Sequence, residues 1–529
     1  MPVYQKIHDT PYMKKPSILI IGGGINGAGV ARDAALRGYH VGLFEKNDFA
    51  SGTSWTSSKL IHGGLRYLEH GEIGLVRESL REREILLHQH PHLVRPIRLT
   101  VPIYRHGKYG RLAMRAGMWA YDLLSFDKSL PRFSLYTHRA VRARYPGINA
   151  QSLLGGVSYF DAQAIYPERL VLDNIHSAVR YGAEVYNHTE VTGFLKSKER
   201  ITGVQTRNTL TGEEAEYTAD MVINTSGPWV DHILKHTEKN IPPQLGGTKG
   251  SHIVIRNTIA LQDALYVNAR RDGRPFFIIP WLDYILIGTT DLRYEGHPDT
   301  VFPESHEIDY LIEEATHVLP EFISGRDDIV FSFCGIRPLP RDERRHTGAI
   351  TRRHGILDHQ REGAEGLISL IGGKLTTYRS AAEQMVDHIE KSLGIAMQPC
   401  RTATEPMHPL MHHDTELLPL TAMLGSDAGA AAQMAQQKNW SLSPVAPDYQ
   451  TSEAQIRYAV QEEWARTLSD VMLRRTRLAY SPDNGLPVAH GVASIMGSAL
   501  AWPQERTTAE IQAYTAYVNA YLQAHRHRS

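Results

Sequence analysis

The sequence predicts an α/β chain closed by an all-helical region: a Rossmann-like dinucleotide-binding domain, a mixed-sheet second domain and a helical third. Three observations predict this. The apolar run Ile18–Ile21 feeds a Gly22-x-Gly24-x-x-Gly27 turn, and Ala28–Arg37 after it reads as helix. Strand, glycine turn and helix recur near residue 372, as if completing the opening domain. From about Leu417 onward Ala, Gln, Glu, Leu and Arg dominate, with helical spacing and little strand character.

Each element follows from its residues. Residues 1–15 read as a poorly ordered tail. Gly22 permits a tight turn, Gly24 lets backbone amides approach a pyrophosphate, and Gly27 lets the helix lie close to the strand. The positive end of that helix faces the phosphates. A second apolar strand, Tyr39–Phe44, ends at Glu45, placed to accept hydrogen bonds from ribose hydroxyls. The hydroxyl-dense loop Ser51–Lys59 can bond phosphates while adding little charge. In Leu60–Tyr67, two glycines beside an arginine and a tyrosine suggest backbone passing close to a flat ligand. Apolar spacing predicts a helix over Gly71–His90, and alternation predicts strands at Val185–Lys196, Ile201–Arg207 and Ala215–Tyr217. Met221–Asn224 reads as a buried strand, and further strands follow at Ser251–Ile255, Pro275–Pro280 and Tyr284–Thr289. Gly366–Ile371 meets Gly372-Gly373-Lys374, then an amphipathic helix over Leu375–Leu393. The tail carries helical patterns at Ala454–Arg477 and Thr508–His525, with Lys438–Asp448 as a linker.

Composition narrows the function. Apolar residues are 42% and charged residues 22%, which excludes wholesale disorder. Lys+Arg and Asp+Glu both total 57, so nothing global points to nucleic acid. Cys334 and Cys400 are far apart, which excludes a disulfide framework or cysteine metal cluster. His88–His92 and His408–His413 lack fixed ligand spacing and read as solvated loops, so no metal is expected. No run approaches the roughly twenty apolar residues that span a bilayer, and no signal peptide precedes the glycine loop. The chain is expected in the cytoplasm or on a membrane face.

Polar residues in apolar settings carry the chemistry. His252, Arg337, Arg352 and Lys374 each sit in or beside apolar stretches, and Arg66 and Tyr67 follow the paired glycines. Three arginines and a lysine suit an anion pocket for a doubly negative phosphate monoester. Arg105–Leu124 couples basic residues to Leu112, Met118 and Trp119 over a helical stretch suited to a lipid surface. A basic helix set on the core fits that pattern equally.

In this order the segments closely resemble the FAD-dependent glycerol-3-phosphate dehydrogenases of the respiratory chain. Gly22–Arg32, Thr53–His70, Leu170–Asn174, Val222–Val230, Lys249–Val254, Ile278–Asp291, Ser332–Leu339, Ile350–Arg352 and Gly372–Arg379 carry the likeness. The tail matches loosely at Glu463–Arg466 and Arg474–Thr476; residues 405–450 and the N-terminal tail do not follow the pattern. The resemblance implies an FAD-binding domain of the glutathione-reductase/D-amino-acid-oxidase type over 16–80, 150–250 and 330–394. It implies a substrate-binding, membrane-facing domain over 81–149 and 251–329, and a helical domain over 395–529. FAD is expected on Gly22, Gly24, Asn26, Gly27, Glu45, Thr53, Ser54, Ser58, Lys59, Gly64, Gly227, Gly372, Gly373 and Thr376. By the same resemblance the enzyme oxidises sn-glycerol 3-phosphate to dihydroxyacetone phosphate and passes electrons to a membrane quinone, resting on the inner face of the cell membrane. An oxidase delivering electrons to oxygen is the alternative. Arg337, Arg352 and Lys374 would grip the phosphate, and Arg66 and Tyr67 would close the pocket. His252 is the candidate base and Lys374 its rival. Whether the helical domain makes a homodimer, meets a partner or caps the site stays open.

Overall fold

The computed structural model describes residues 4–5, 15–69, 71–342, 350–407, 418–425 and 427–526. The expected tail and His408–His413 lie outside these, apart from Tyr4–Gln5 and Lys15.

Apolar strands flanked by helices stack into a parallel sheet, because both faces are then covered. Its order is Gly355–Asp358, Leu367–Ile371, Met221–Asn224, Ser17–Ile21, His40–Phe44, Glu184–Tyr186. Neighbours run parallel except the Gly355–Asp358 edge, which is antiparallel to Leu367–Ile371. Helices Ile25–Leu36, Pro167–Arg180 and Tyr378–Ser392 pack together on this sheet's flank. The carboxyl ends of three adjacent strands carry Gly372, Thr225–Gly227 and Gly22–Gly24, and the fourth ends at Glu45. Ligands of open α/β sheets bind at such an edge.

A second, mixed sheet of ten strands runs from Leu292–Arg293 through Thr248–Arg256, Tyr284–Gly288, Pro275–Trp281, Ala264–Asn268, Val94–Tyr104 and Leu153–Ala164 to Leu60–Ile61. Ile329–Arg337 also pairs with Thr248–Arg256, and Ser134–Thr137 with Leu153–Ala164. This sheet therefore draws Leu60–Ile61, Leu153–Ala164 and Ile329–Arg337 from segments flanking the first sheet. A third sheet pairs Tyr4–Gln5, Glu214–Thr218, Arg200–Asn208 and Thr189–Ser197 in that order.

Several local expectations are corrected. Val185–Lys196 is two strands in two sheets, Glu184–Tyr186 and Thr189–Ser197, separated where His188 turns to φ 49°. The helix expected over Ala454–Arg477 stops at Glu462. Trp464 takes φ 57°, and Thr467 caps a new turn by accepting from the Asp470 amide. Buried Glu463, Asp470, Arg474 and Arg475 force that break, since each must meet a partner on another element. The helix Gln504–Tyr517 is followed by shorter turns rather than continuing to His525. His90, expected in a solvated loop, is buried with Nδ1 3.2 Å from Asp173, because the chain turns inward after Gln89 to start the strand at Val94. Helix Arg111–Leu124 forms, but its Met118 faces the core with Met114 and Tyr121 and is fully buried. Leu112, Trp119 and Leu123 remain exposed with Phe126 beyond them. Among the described residues, no helix is long and apolar enough to cross a membrane.

Candidate active site

The three glycine-bearing strand ends open onto a cavity of about 630 Å³. At its floor, Gly22 takes φ 106°, and a Cβ there would lie 2.7 Å from Ser226 Cα. A Cβ on Gly27 would lie 1.9 Å from the Gly22 carbonyl oxygen, so helix and turn approach only as glycines. Gly24 differs: its added Cβ would project toward Ser54 Oγ at 3.3 Å. Helix Ile25–Leu36 begins here with no acidic residue in its first turn, and the Ile25 amide donates to Ser54 Oγ at 3.0 Å. Its N-terminal amides are placed for an anion. Glu45 accepts the Gly23 amide at 2.8 Å and the Asn47 amide at 2.9 Å, while burial pushes its carboxyl up. The second glycine turn faces the first: Gly372 and Gly373 take φ 68° and 88°, and Asn26 Nδ2 donates to the Gly372 carbonyl at 3.4 Å. These elements fit FAD: two helix starts, open glycines and an acid enclose one elongated space.

The wall opposite comes from the mixed sheet and the loop Ser51–Tyr67. Ser58 lines the cavity, and its Oγ lies 2.9 Å from His252 Nε2. His252 sits behind it, stacked on Phe333 with ring centroids 4.9 Å apart, and does not line the cavity. Burial, then Arg337 and Lys59, hold its imidazole well below the usual histidine range. Lys59 turns with φ 59° so that its backbone meets the cavity while its ammonium points away. That ammonium donates to the Trp55 carbonyl at 3.2 Å and sits 4.7 Å from the Trp281 ring. Beyond Leu60–Ile61, the Gly63 amide donates to Tyr121 Oη at 3.0 Å, and Tyr121 in turn donates to Asp161. Asp161 is paired with buried Arg83 at 2.6 Å, so the glycine pair hangs from a fixed network. His62 lines the cavity, and burial with nearby Lys374 pushes its imidazole down to about 3.

Cations gather at one end. Arg337 places Nη1 3.2 Å from Asp291 Oδ1 and Nη2 3.0 Å from Thr289 Oγ1 and 3.2 Å from the Thr290 carbonyl. Arg352 Nη2 lies 3.6 Å from the other Asp291 oxygen, and its buried Nη1 has no hydrogen-bond partner among the described residues. The two guanidiniums hold the Asp291 carboxyl below the usual carboxylate range despite its burial. Lys374 Nζ donates to Ser79 Oγ and stands 4.6 Å above the Tyr67 ring. Burial lowers its ammonium from the lysine range to about 7, against the pull of Glu78, Glu72 and Asp161. At the other end, Lys46 and Asp299 form a clasp at 2.6 Å across the two sheets, and Trp229 Nε1 donates to Asp299 at 2.9 Å.

Of the residues singled out in the sequence, the cavity wall gathers Gly22, Gly24, Asn26, Glu45, Thr53, Ser54, Ser58, Gly227, Gly372, Gly373 and Thr376 with Tyr67, Arg337, Arg352 and Lys374. Gly27 and Gly64 shape the turns behind it, and a Cβ on Gly64 would lie 2.1 Å from the Tyr67 ring. Arg66 and His252 are not on the wall, and the Lys59 side chain leaves it. Ser57 belongs to the hydroxyl-dense loop expected to bond phosphates, whereas His62, Phe277 and the clasp residues were not anticipated. Only His62 had a signal, a polar ring between an apolar strand and two glycines.

Residues 17–379 match the family model for FAD dependent oxidoreductases, and 368–507 match the C-terminal domain of alpha-glycerophosphate oxidase. A glycerol-3-phosphate dehydrogenase of Synechocystis is 42% identical, across 97% of this chain and 98% of its own. An aerobic glycerol-3-phosphate dehydrogenase of Staphylococcus saprophyticus is 32% identical, across 94% and 92%. The solved structure of the glycerol-3-phosphate dehydrogenase from Bacillus halodurans complexed with FAD superposes with a TM-score of 0.76 at 25% identity, covering 96% of this chain and 95% of that one. The reduced L-alpha-glycerophosphate oxidase of Mycoplasma pneumoniae, with FAD bound, is 17% identical, covers 75% of this chain and all of its own, and shares the fold at a TM-score of 0.57.

Proposed function

The chain belongs to the FAD-dependent glycerol-3-phosphate dehydrogenase and oxidase family, and from that premise we propose that it oxidises sn-glycerol 3-phosphate at C2 to dihydroxyacetone phosphate and passes the electrons to a membrane quinone. One observation supports this above all: a single cavity joins the dinucleotide cradle to the Arg337, Arg352 and Lys374 cluster. When bound, FAD supplies the acceptor for the C2 hydride.

The chain's own residues bind the phosphate, orient the alcohol and take its proton. Arg352, whose Nη1 is unpartnered among the described residues, is the phosphate anchor. Arg337 spends its terminal nitrogens on Thr248, Thr289, Thr290 and Asp291, so it acts as a fixed positive wall. Lys374 is the base of choice over His252. Lys374 lines the cavity where His252 does not, and with a proton affinity near 7 it has a large free-amine fraction at neutral pH. The arriving phosphate dianion raises that affinity and so favours transfer of the C2 hydroxyl proton to Lys374. His252, one side chain back and held neutral, orients Ser58. Tyr67 closes the pocket beneath the lysine.

Access to a quinone is supported by helix Arg111–Leu124. Leu112 is 82% and Phe126 76% exposed, Trp119 and Leu123 are exposed, and Arg105, Arg111 and Arg115 are exposed around them. Anaerobic addition of glycerol 3-phosphate should bleach the flavin absorbance, and glycerol should not. An unchanged spectrum rules out the substrate. Reoxidation by a short-chain quinone with little peroxide in air separates the dehydrogenase from the oxidase.

A further inference from the structure

Helix Ile73–Gln89 stands against the turn that carries Lys374. Glu78 accepts the Ser380 hydroxyl at 2.6 Å, Glu82 accepts Arg379 at 2.6 and 2.8 Å, and Ser79 Oγ receives Lys374 Nζ. Ser79 is fully buried and donates its own hydroxyl proton to the Leu75 carbonyl at 2.6 Å. A hydroxyl has one proton, so the oxygen that meets Lys374 can only accept. The lysine must therefore donate an N–H there, whether it is an amine or an ammonium. The Tyr67 face, 4.6 Å away, occupies a second side of the nitrogen. Lys374 itself is part of the cavity wall.

We propose that Ser79 is a positioning residue for the reaction: by anchoring one N–H of Lys374 it aims the nitrogen lone pair at the substrate's C2 hydroxyl. This rests on the reading of Lys374 as the base. The groups that face Lys374 are Glu72 just before the helix and Glu78 on it, Asp161 on the strand Leu153–Ala164, and His62 and Tyr67 on the loop, with Arg352 on the wall of the same cavity. The carboxylates stay in place when Ser79 changes, so the effect of the hydroxyl separates from theirs. An acceptor stabilises the ammonium more than the amine, so its removal must lower the proton affinity of Lys374 further.

The test uses the FAD-loaded enzyme. In Ser79→Ala, turnover should fall about tenfold with the Michaelis constant for glycerol 3-phosphate within about twofold, and the acid limb of the pH profile should move about one unit lower. Titration of Lys374 without substrate, by trace acetic anhydride labelling and mass spectrometry of its peptide, should show the same downward shift. Ser79→Thr should restore both. Ser79→Cys, which keeps the volume and weakens the acceptor, supplies the comparison if the alanine variant holds little FAD. A labelling midpoint that does not move in Ser79→Ala, or a threonine variant that behaves like the alanine one, overturns the proposal. Lys374→Met separates the two readings. If it keeps the acid limb, the base assignment falls. If it loses the limb while Ser79→Ala titrates normally, only the positioning role falls.

Discussion

With Lys374 as the proposed base, its proton affinity sets the pH dependence expected of this enzyme. On that reading its proton must be off for the C2 hydroxyl to lose its own, so kcat/KM should rise with pH through about 7 and level above it, and turnover at saturation should rise at a higher pH because the bound phosphate holds the proton on. Lys374→Met should remove that limb and cost about 10²- to 10⁴-fold in turnover, read in a pH series with a soluble dye acceptor. Arg352→Ala should instead raise the Michaelis constant about tenfold to a hundredfold, the worth of one charge-assisted phosphate contact, and leave turnover on saturation nearly intact. For His252 the expectation is subtler. Since it touches the cavity only through Ser58, His252→Ala and Ser58→Ala should each lower activity modestly, and the double variant no more than the larger single one. The sequence revealed that these residues are polar in apolar settings, and that alone found Arg337, Arg352 and Lys374. It gave no direction to a side chain. A backbone φ of 59° at Lys59 sends the ammonium into an aromatic box, and a pleat puts His252 behind Ser58 rather than beside it. Neither is encoded in spacing.

At the scale of the element, the opening strand, glycine turn and helix were legible because only glycine satisfies each geometric demand. Gly27→Ala should give a colourless protein, since its methyl group would overlap the Gly22 carbonyl and push the helix start away; the flavin-to-protein absorbance ratio measures this. The near-continuous apolar runs of the parallel sheet announced themselves too. The helical tail was legible as helical and not in its breaks, because buried Glu463 and Arg475 stop the helix where Arg169 and Asp48 are, and those partners belong to distant sequence. Helix Arg111–Leu124 shows the same division. Its period places it as a helix, yet which stripe faces out depends on where the core lies, and Met118 turned inward. Replacing Leu112, Trp119, Leu123 and Phe126 by serine should release the protein from anionic vesicles while activity with a soluble dye persists. Retained sedimentation with vesicles would exclude this face.

Over the whole molecule, one apolar cluster runs from Ile18 in the strand Ser17–Ile21 to Leu522 near the C-terminus, so the helical region shares its interior with the sheets. A buried ion cluster pins them. Arg475 gives two nitrogens to Asp48 at 2.8 Å, Arg474 adds a third contact to Asp48 and one to Asp470 at 2.9 Å, and His188 meets Asp470 at 2.9 Å. Asp48→Ala would strand two buried guanidiniums, and a loss of about 3–5 kcal/mol is expected from thermal melting. Pairing it with Arg475→Met should lose less than the two singles together. Asp48 follows Glu45 closely, so this destabilisation should also loosen the cradle. The clasp of Lys46 and Asp299 stands at the same edge, half in water, where an ion pair adds little to affinity. Its effect lies in time instead. Lys46 and Asp299 stand on the wall of the cavity that an occupant of the glycine turns must pass, so the clasp is expected to bear on escape more than on equilibrium. Lys46→Ala should still capture FAD, but shed it faster on dilution, and high salt should bring the unaltered protein toward the same rate.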